Sequence, residues 1–496
     1  MSRYDYDIGV IGGGAAGLTV TSGAAQLGAK TLLVEKGPAL GGDCLHYGCV
    51  PSKTLIRTAR LYHQMRHSTQ YGLPVIDAPP ADFRDVAARI RSVIDTIQVH
   101  DSPERFRGLG ADVRFGSPRF GNEHAVELDG RILSARKWVL ATGSGAAIPP
   151  IPGLDGVSYL TNRHLFSLDR LPRSLIVLGG GAVAVEMAQA FCRLGTKVTV
   201  IQRSAHILSR EDSDMADLVM DRLAAEGVEF YLEATVERVW EESGASGEKV
   251  ARVFQKSNAP GGGMTELRAE ALLVAMGRRA NTDGLGLEEI GVQIARRGVV
   301  VDAHLRTTRK HIFAAGDVTG QYQFTHAAGY EGGVVISNAV IHFPSKADYA
   351  WMPRCTYTDP ELACIGRNER ALRADGMTPG EDYTVWTEPF ASNDRALAEG
   401  APEGMIKLLL DRKERPLGVQ ICGLHGGDLL GEWVGVLAGG VSLRTLGSAV
   451  HPYPTLAEIN KRVVGQLLGR KLFSDKVRKI LSLVFRYRGG EGGGEG

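Results

Sequence analysis

The hydrophobic positions in the first 200 residues alternate between short apolar runs and longer helical patterns. Apolar runs at residues 7–10 and 31–34 predict two buried strands, and residues 15–27 between them predict a helix that ends before Gly28. An amphipathic helix with a core-facing stripe is predicted from the helical spacing of Phe83, Val86, Ile90, Val93, Ile94 and Ile97. This order of elements indicates the α/β class.

The same strand, helix and strand order returns in the middle of the chain. Apolar runs at 174–178 and 197–201 flank a helical segment, 185–194, that ends at Gly195. Two copies of one βαβ unit are therefore predicted, each with the pattern of a nucleotide-binding fold.

From about residue 346 the pattern changes. Runs at 363–365, 405–410 and 417–421 predict strands of an antiparallel sheet, and helices are expected at 428–437 and 458–468. The C-terminal part is predicted to be an α+β domain with helices on one face of its sheet.

A glycine-rich turn joins the first strand to the first helix. Gly12 permits the turn, Gly14 allows a pyrophosphate to approach the backbone, and Gly17 allows the helix to pack on the strand. Glu35 ends the second strand, 23 residues after Gly12, where a carboxylate can bind a ribose. Strand, turn, helix and carboxylate together predict a dinucleotide site.

The second copy has the turn Gly179-x-Gly181-x-x-Ala184 but no carboxylate at the end of its second strand. Gln202 occupies that position and Arg203 follows it. A cation there favours the 2′-phosphate of NADPH. NADPH is therefore predicted at this site, with NADH as the alternative.

The strongest candidate chemistry is a pair of cysteines, Cys44 and Cys49, in a segment bracketed by glycines. Pro51 suits the first turn of a helix, and the amide dipoles of that turn would lower the pKa of one of the two thiols. A Cys-x-His-x-x-Cys zinc site lacks a fourth ligand nearby, so no metal site is predicted. A structural disulfide stays open, although persistent disulfides in the cytosol are usually catalytic or redox sensing.

Three further strands end in small-residue turns beside the predicted nucleotide sites, and the turn residues are Thr142, Gly143, Gly277, Gly316 and Asp317. Asp317 is either an ordinary turn residue or a carboxylate that holds a ribityl hydroxyl.

Charge and composition change the picture by exclusion. The 57 Lys and Arg residues balance 56 Asp and Glu residues, so no field attracts nucleic acid and no nucleic-acid partner is expected. No apolar run reaches 18 residues, and the first strand begins too early to leave room for a signal peptide. A cytoplasmic location is expected.

In these motifs the sequence resembles the FAD-dependent pyridine nucleotide-disulfide oxidoreductases, a family that includes dihydrolipoamide dehydrogenase, glutathione reductase and mercuric reductase. The resemblance covers residues 5 to about 470. It implies a homodimer that binds FAD on the first fold and a nicotinamide on the second. The implied domains are an FAD-binding domain in two parts, an NAD(P)-binding domain and an interface domain, at 1–150 with 281–345, 151–280 and 346–470.

The resemblance also implies individual roles. Cys49 would face the flavin, and Cys44 would meet the substrate. Lys53 and Glu186 match the family's ion pair beside the flavin, where they would tune its N5.

Residue 453 departs from part of the family. Dihydrolipoamide dehydrogenase and glutathione reductase have a histidine base at this position, five residues before a glutamate that matches Glu458. Tyr453 is a poor proton acceptor at neutral pH, because the pKa of a phenol is about 10. His451 is the one candidate for a substitute base.

Mercuric reductases carry a tyrosine at the position of Tyr453, and a neutral residue followed by arginine at 202–203. The chain lacks their vicinal C-terminal cysteines and their N-terminal metal-binding domain. The leading hypothesis is NADPH-dependent reduction of a soft metal ion or another soft acceptor. The alternative is a dihydrolipoamide dehydrogenase acting on a disulfide or dithiol.

Residues 471–496 form a basic tail. Its helical stripe and its cations are Phe473, Val477, Ile480, Leu481 and Val484, with Lys471, Lys476, Arg478, Lys479, Arg486 and Arg488. Packing on the chain's own dimer is the simpler interpretation. A membrane-docked electron-transfer component is the alternative, and residues 489–496 are expected to be disordered.

Overall fold

The computed structural model describes residues 4–242, 247–256 and 262–487. The chain divides into two compact units, one made of residues up to 209 with 223–350 and the other of 210–222 with the residues from 351 on. The predicted disorder of 489–496 lies outside the described residues. No helix within the described ranges is long and apolar enough to cross a bilayer.

The first unit begins with the first βαβ copy and its extensions. Its elements are β1 (Tyr6–Ile11), α1 (Ala15–Gln26), β2 (Thr31–Glu35), α2 (Gly42–Tyr47), α3 (Cys49–Arg66), α4 (Phe83–Gln98), α5 (Pro103–Gly108), β3 (Ala111–Phe115), β4 (Arg119–Asn122), β5 (Ala125–Leu128), β6 (Arg131–Leu140) and β7 (Ser144–Ala146).

The second copy and the return to the first sheet follow. These elements are β8 (Ser174–Leu178), α6 (Ala182–Leu194), β9 (Lys197–Ile201), α7 (Ser213–Ala225), β10 (Glu229–Tyr231), β11 (Ala234–Glu241), β12 (Lys249–Gln255), β13 (Gly263–Ala269), β14 (Ala271–Val274), β15 (Arg278–Ala280), β16 (Ile294–Ala295), β17 (Gly298–Val299), β18 (Ile312–Ala314) and α8 (Thr325–Ile336). α7 as far as Arg222 belongs to the second unit.

The main sheet of the first unit has the order β3-β2-β1-β6-β5-β4, and β18 also pairs with β6. β1 runs parallel to β2 and β6, with Val10 opposite Leu33 and Val139. These three residues are fully buried. Continuous apolar strands are typical of a parallel sheet covered on both faces, which agrees with the predicted α/β class.

The second copy forms its own parallel sheet, β10-β9-β8-β14, and β11, β12 and β13 form an antiparallel sheet. β7 pairs with β15, with Ser144 opposite Ala280. This short ladder joins the end of the first fold to the return strand of the second, so residues from both copies meet at one place.

The second unit is built on the antiparallel sheet β19-β20-β23-β22-β21. Its elements are β19 (Arg354–Thr356), β20 (Glu361–Gly366), α9 (Glu369–Ala374), β21 (Tyr383–Pro389), α10 (Asp394–Ala398), β22 (Met405–Asp411), β23 (Pro416–Gly423), α11 (Gly426–Ala438), α12 (Leu443–Ser448), α13 (Glu458–Leu472) and α14 (Asp475–Phe485).

Side chains alternate between the two faces of this sheet. Leu408 and Ile421 pack with Trp433 of α11 and Val463 of α13 on one face. The other face is also covered, because Leu409 packs with Leu372 of α9 and Tyr383. The prediction of helices on one face of the sheet was therefore incomplete. The segments that cover the second face are mostly polar, so they gave no apolar pattern in the sequence.

Lys407 explains how the segment 210–222 joins the second unit. Its ammonium is buried and lies 3.2 Å from Asp212, 2.6 Å from Asp214 and 2.9 Å from Glu369. Asp212 also accepts a hydrogen bond from Gln420, which lies opposite Lys407 in the sheet. One buried cation thus binds three carboxylates from two segments far apart in the chain.

We predict that Lys407→Met lowers the free energy of unfolding of the second unit by about 3–5 kcal/mol. The substitution leaves Asp212, whose side chain is 4% exposed, as a buried charge without its cation. Urea unfolding followed by tryptophan fluorescence measures the change. Lys413→Met, at an exposed position in the turn after β22, is the control and is expected to shift stability by less than about 0.5 kcal/mol. Equal midpoints for the two variants would contradict the prediction.

Candidate active site

The first glycine turn leaves the start of α1 open. Gly12 has φ +107°, and a Cβ at Gly17 would lie 1.8 Å from the carbonyl oxygen of Gly12. α1 begins at Ala15 with Gly14 as its N-cap and with no side-chain cap. Its first amide groups can therefore donate to an anion such as a pyrophosphate.

Glu35 is held at the end of β2 by two backbone amides. Its carboxylate accepts from Gly13 N at 2.6 Å and from Gly37 N at 2.5 Å. The carboxylate thus lies beside the glycine turn, where a ribose bound next to the pyrophosphate would be within reach.

The two cysteines lie on consecutive helices. Cys44 is in α2, Gly48 interrupts the helical path, and Cys49 is the first residue of α3. Both are free thiols in this structure, and Cys49 Sγ lies 3.4 Å from Thr325 Oγ1 at the start of α8.

The thiol of Cys49 is acidified by its surroundings. A hydrogen bond from Cys44, then one from Thr325 and the charge of Lys53, lower the pKa of Cys49 to about 6, although desolvation opposes this shift. The same pairing and burial raise the pKa of Cys44. At neutral pH the reduced pair therefore carries one thiolate, on Cys49, and one proton, on Cys44.

Three other cysteines have pKa values that are shifted in the opposite direction from that of Cys49. Burial raises the pKa of Cys192 to about 11 and that of Cys422 to about 12, and burial also raises the pKa of Cys364. These three thiols stay protonated at neutral pH, unlike the thiol of Cys49.

Lys53 and Glu186 form an ion pair of 2.7 Å beside Cys49. Lys53 lies one helical turn after Cys49 in α3, while Glu186 lies in α6 and is 5% exposed. The fold thus brings the second copy's helix against the redox helix, and the buried carboxylate holds the ammonium in place.

Sequence reasoning missed the role of Arg278. Its guanidinium donates to Asp43 at 2.7 Å and to Ser144 Oγ at 2.7 Å, and it lies 3.5 Å from Asp317. Asn162 also donates to Asp43. The residue before Cys44, the return strand of the second copy and Asp317 therefore share one cation.

Asp317 is a half-buried carboxyl group three residues after β18. It accepts from Ser144 Oγ at 2.5 Å, and burial raises its pKa. The preceding Gly316 donates its N–H to Glu331 at 2.6 Å, and this buried glutamate also accepts from Tyr349. Sequence reasoning did not single out Glu331, because its neighbours in α8 give no chemical signal.

Thr142 and Gly143 connect this network to the second copy. Thr142 Oγ1 donates to the carbonyl of Asn281 at 2.6 Å, and Asn281 N donates to the carbonyl of Gly143 at 2.9 Å. Gly277 stands just before Arg278 with φ +126°. The turn residues singled out from the sequence thus lie around Arg278.

The second nucleotide turn repeats the geometry of the first. α6 begins at Ala182 with Gly181 as N-cap and no side-chain cap, and a Cβ at Gly181 would meet nothing within 4 Å. Gln202 immediately follows β9 and lies beside Gly180, and the next residue, Arg203, is exposed. The turn is open to a phosphate, with a cation at the ribose end.

Tyr453, His451 and Glu458 lie in the second unit. Tyr453 is 70% exposed and donates to Asp394 at 2.9 Å, and this bond raises its pKa. His451 is nearly buried and pairs with Glu432 at 2.9 Å. Glu458 opens α13. The phenol is therefore still less able to accept a proton at neutral pH. His451 pairs with Glu432 through Nε2, and its Nδ1 is buried without a hydrogen-bond partner among the described residues.

Comparisons with known proteins agree with this geometry. Residues 6–332 match the family described as pyridine nucleotide-disulphide oxidoreductase, and residues 352–464 match its dimerisation domain. A mercuric reductase of Bacillus cereus is 33% identical over 92% of this chain and 70% of its own length. A dihydrolipoyl dehydrogenase of Bacillus subtilis (strain 168) is 31% identical over 91% of this chain and 96% of its own length.

The fold also matches a solved structure. The Cu(II) complex of the HOCl-induced flavoprotein disulfide reductase RclA from Escherichia coli has a TM-score of 0.81 and 27% identity. The match covers 94% of this chain and all of that one.

We predict that Thr325→Val raises the pKa of Cys49 by about 1 unit, because a hydrogen bond to the thiolate is lost. In the reduced protein the rate of Cys49 alkylation rises with pH through the thiol's pKa and levels off above it. The half-maximal rate is expected near pH 6 in the parent and near pH 7 in the variant, as measured by mass spectrometry of the Cys49 peptide.

Thr58→Val is the control for this experiment. Thr58 lies in α3, the helix that begins with Cys49, and its hydroxyl donates to the carbonyl of Thr54 instead of to a thiol. Its profile should overlay that of the parent. Overlap of the Thr325→Val profile with the parent would show that the hydroxyl does not stabilise the thiolate.

Proposed function

Because the chain belongs to the pyridine nucleotide-disulphide oxidoreductase family, we propose that it passes electrons from NADPH to a soft metal ion through Cys49 and Cys44. The family membership makes it an FAD-dependent oxidoreductase that takes electrons from NAD(P)H, and its dimerisation domain makes it a homodimer. The choice of NADPH and the identity of the acceptor are the parts that are proposed.

The residues of the first fold fit FAD. The open start of α1 would bind its pyrophosphate, Glu35 its adenosine ribose, and Asp317 a ribityl hydroxyl. The glycine turn leaves room for a pyrophosphate, because a Cβ built at Gly14 would have only Gly42 Cα within 4 Å, at 3.8 Å. When bound, FAD would supply the two-electron chemistry that links the nicotinamide to the disulfide.

The chain's own residues then control the proton and the charge. Reduction of the disulfide breaks one S–S bond and yields a thiolate on Cys49 and a thiol on Cys44. The proton stays on Cys44 because the pKa of that thiol is the higher of the two. Lys53 places its positive charge beside that thiolate, and Glu186 keeps the ammonium oriented. Overall, NADPH and Hg(II) give NADP⁺, a proton and Hg(0).

The observation that carries the proposal is the combination of this stabilised thiolate with Tyr453. A thiolate binds a soft metal ion directly, whereas exchange with dihydrolipoamide requires a base. Tyr453 has a raised pKa, and the Nδ1 of His451 is buried. Dihydrolipoamide dehydrogenase activity is therefore not favoured.

NADPH is proposed over NADH from the end of β9. Gln202 carries no negative charge, and the exposed guanidinium of Arg203 can pair with a 2′-phosphate. We also propose a cytoplasmic location, where the reduced state of the remaining cysteines would be maintained.

A second proposal concerns the tail, which we propose contacts an anionic membrane surface. No residue of α14 is buried, and Ile480 is 50% and Val484 62% exposed. Val477, Ile480, Leu481 and Val484 share one face, since they follow one another at helical spacing.

The cations around the apolar stripe of α14 favour an anionic membrane surface. Lys476, Arg478, Lys479 and Arg486 surround the stripe, and Asp475 is the acidic residue of the helix. Each cation near an anionic bilayer contributes about 1 kcal/mol, and an apolar stripe adds burial in the interface. α14 would lie on the membrane rather than cross it.

We predict NADPH oxidation driven by Hg(II) in the FAD-loaded protein, with NADH a poorer donor. Cys44→Ser should lower the Hg(II)-dependent rate more than about 100-fold, because the substrate-facing thiol is lost. Cys192→Ser is the matched control, since this thiol is protonated and bonded to Glu226 O, and it should keep the parent rate. Lipoamide turnover should be negligible in the parent and rise in Tyr453→His. The absence of Hg(II)-dependent oxidation would end the proposal.

We predict that the full-length protein sediments with vesicles containing anionic lipid and not with neutral vesicles. Ile480→Asp should weaken binding at least about tenfold, because an apolar side chain no longer enters the interface. Leu397→Asp is the matched control, since Leu397 has a similar exposure of 54% outside the tail. Unchanged binding after deletion of residues 471–496 would remove the proposal, and loss of the dimer on deletion would show that the tail packs on its own dimer.

A further inference from the structure

A cluster of metal-binding side chains lies away from the redox pair. Glu123 and His124 occupy the turn between β4 and β5, and His311 immediately precedes β18. One carboxylate oxygen and one nitrogen from each imidazole lie within 4.8 Å of one another. The three residues are half-buried, so water can reach them.

Both imidazoles are oriented by the backbone. His124 Nδ1 lies 3.2 Å from the carbonyl of Ala135, and His311 Nε2 lies 3.0 Å from the carbonyl of Glu123. A carbonyl oxygen only accepts, so these nitrogens carry the protons and His124 Nε2 and His311 Nδ1 keep their lone pairs. Such a bond from the second ring nitrogen is what orients histidine ligands in metal sites.

The two rings are also held close together. Their centroids lie 4.1 Å apart with an interplanar angle of 20°, and Tyr4 packs on His124 at 4.8 Å. Ligands at 2.0–2.2 Å around a tetrahedral ion lie about 3.3 Å apart, so the side chains must close by up to about 1.5 Å. One imidazole must also turn out of the stack, because the lone pair of a ring nitrogen lies in the plane of its ring.

Arg309 does not prevent binding. Its Nε lies 3.6 Å from the Glu123 carboxylate but donates at 2.7 Å to the carbonyl of Ile290. Both members of the ion pair are more than 40% exposed, and such pairs contribute at most about 1 kcal/mol. A divalent ion would replace this contact with a direct bond to the carboxylate.

We propose that Glu123, His124 and His311 bind one divalent transition-metal ion of the class that prefers imidazole, such as Zn²⁺, with water completing its coordination. The site uses nitrogen and oxygen ligands and is separate from the thiols that bind the substrate metal. The ion joins the β4–β5 turn to the residue that starts the path along β18 to Asp317. It would therefore brace the strand that leads to Asp317, a residue proposed to bind FAD.

The test is Zn²⁺ titration by isothermal calorimetry of the FAD-loaded Cys44→Ser/Cys49→Ser protein, in which the redox thiols are absent. One equivalent of Zn²⁺ is expected to bind and to raise the melting temperature, while Mg²⁺ is not. His124→Ala/His311→Ala should weaken Zn²⁺ binding at least about tenfold and remove the thermal shift. Glu123→Gln, which keeps the side-chain shape, should weaken binding without altering flavin content.

His63→Ala/His67→Ala is the matched control. These histidines stack at the same centroid distance, 4.1 Å, at the end of α3. The proposal predicts unchanged Zn²⁺ binding in this variant. It is overturned if no equivalent binds, if binding survives in His124→Ala/His311→Ala, or if binding is lost in the control instead. Because NADPH oxidation is not the readout, this result is independent of the proposed reductase activity.

Discussion

The stabilised thiolate of Cys49 is the interaction on which the active site depends. Its stabilisation needs a proton on Cys44, a hydroxyl from Thr325 and an ammonium from Lys53. Thr325 lies 276 residues away along the chain, so its contribution to the thiolate is present only when the start of α8 packs against the start of α3. The long path through the second nucleotide fold and back to β18 is what delivers that helix.

Arg278 shows how the two nucleotide folds are joined electrostatically as well as by strands. It shares its charge between Asp43, next to Cys44, and Asp317, a half-buried carboxyl group. Without the guanidinium, the negative charges of Asp43 and Asp317 would lie near one another with no positive charge to offset their repulsion. The same principle operates at Lys407 in the second unit, where one buried ammonium holds Asp212, Asp214 and Glu369.

The choice of substrate follows from proton chemistry more than from shape. The fold and the cysteine pair are common to relatives that act on different acceptors, as the names of the mercuric reductase and the dihydrolipoyl dehydrogenase show. In this chain the phenol of Tyr453 donates to Asp394, and His451 is paired with Glu432. A thiolate of low pKa is suited to an acceptor that binds sulfur directly.

The local pattern of the sequence determined the strands and helices around both glycine turns, the redox pair and the change to an antiparallel sheet. β8 and β9 have the predicted bounds, 174–178 and 197–201. The patterns that predicted them, which are apolar runs, glycine turns and helix ends, depend on residues that are neighbours in the sequence. Family membership and FAD dependence, expected from these motifs, are confirmed by the comparisons.

Only the tertiary structure decided which distant polar groups meet. Thr325 beside Cys49, Arg278 beside Asp43, the segment 210–222 on the second face of the antiparallel sheet, and His311 against His124 are contacts across more than 100 residues. Polar and single charged residues carry no periodicity of their own. Their partners are set by the path of the chain, and burial then makes each pairing strong.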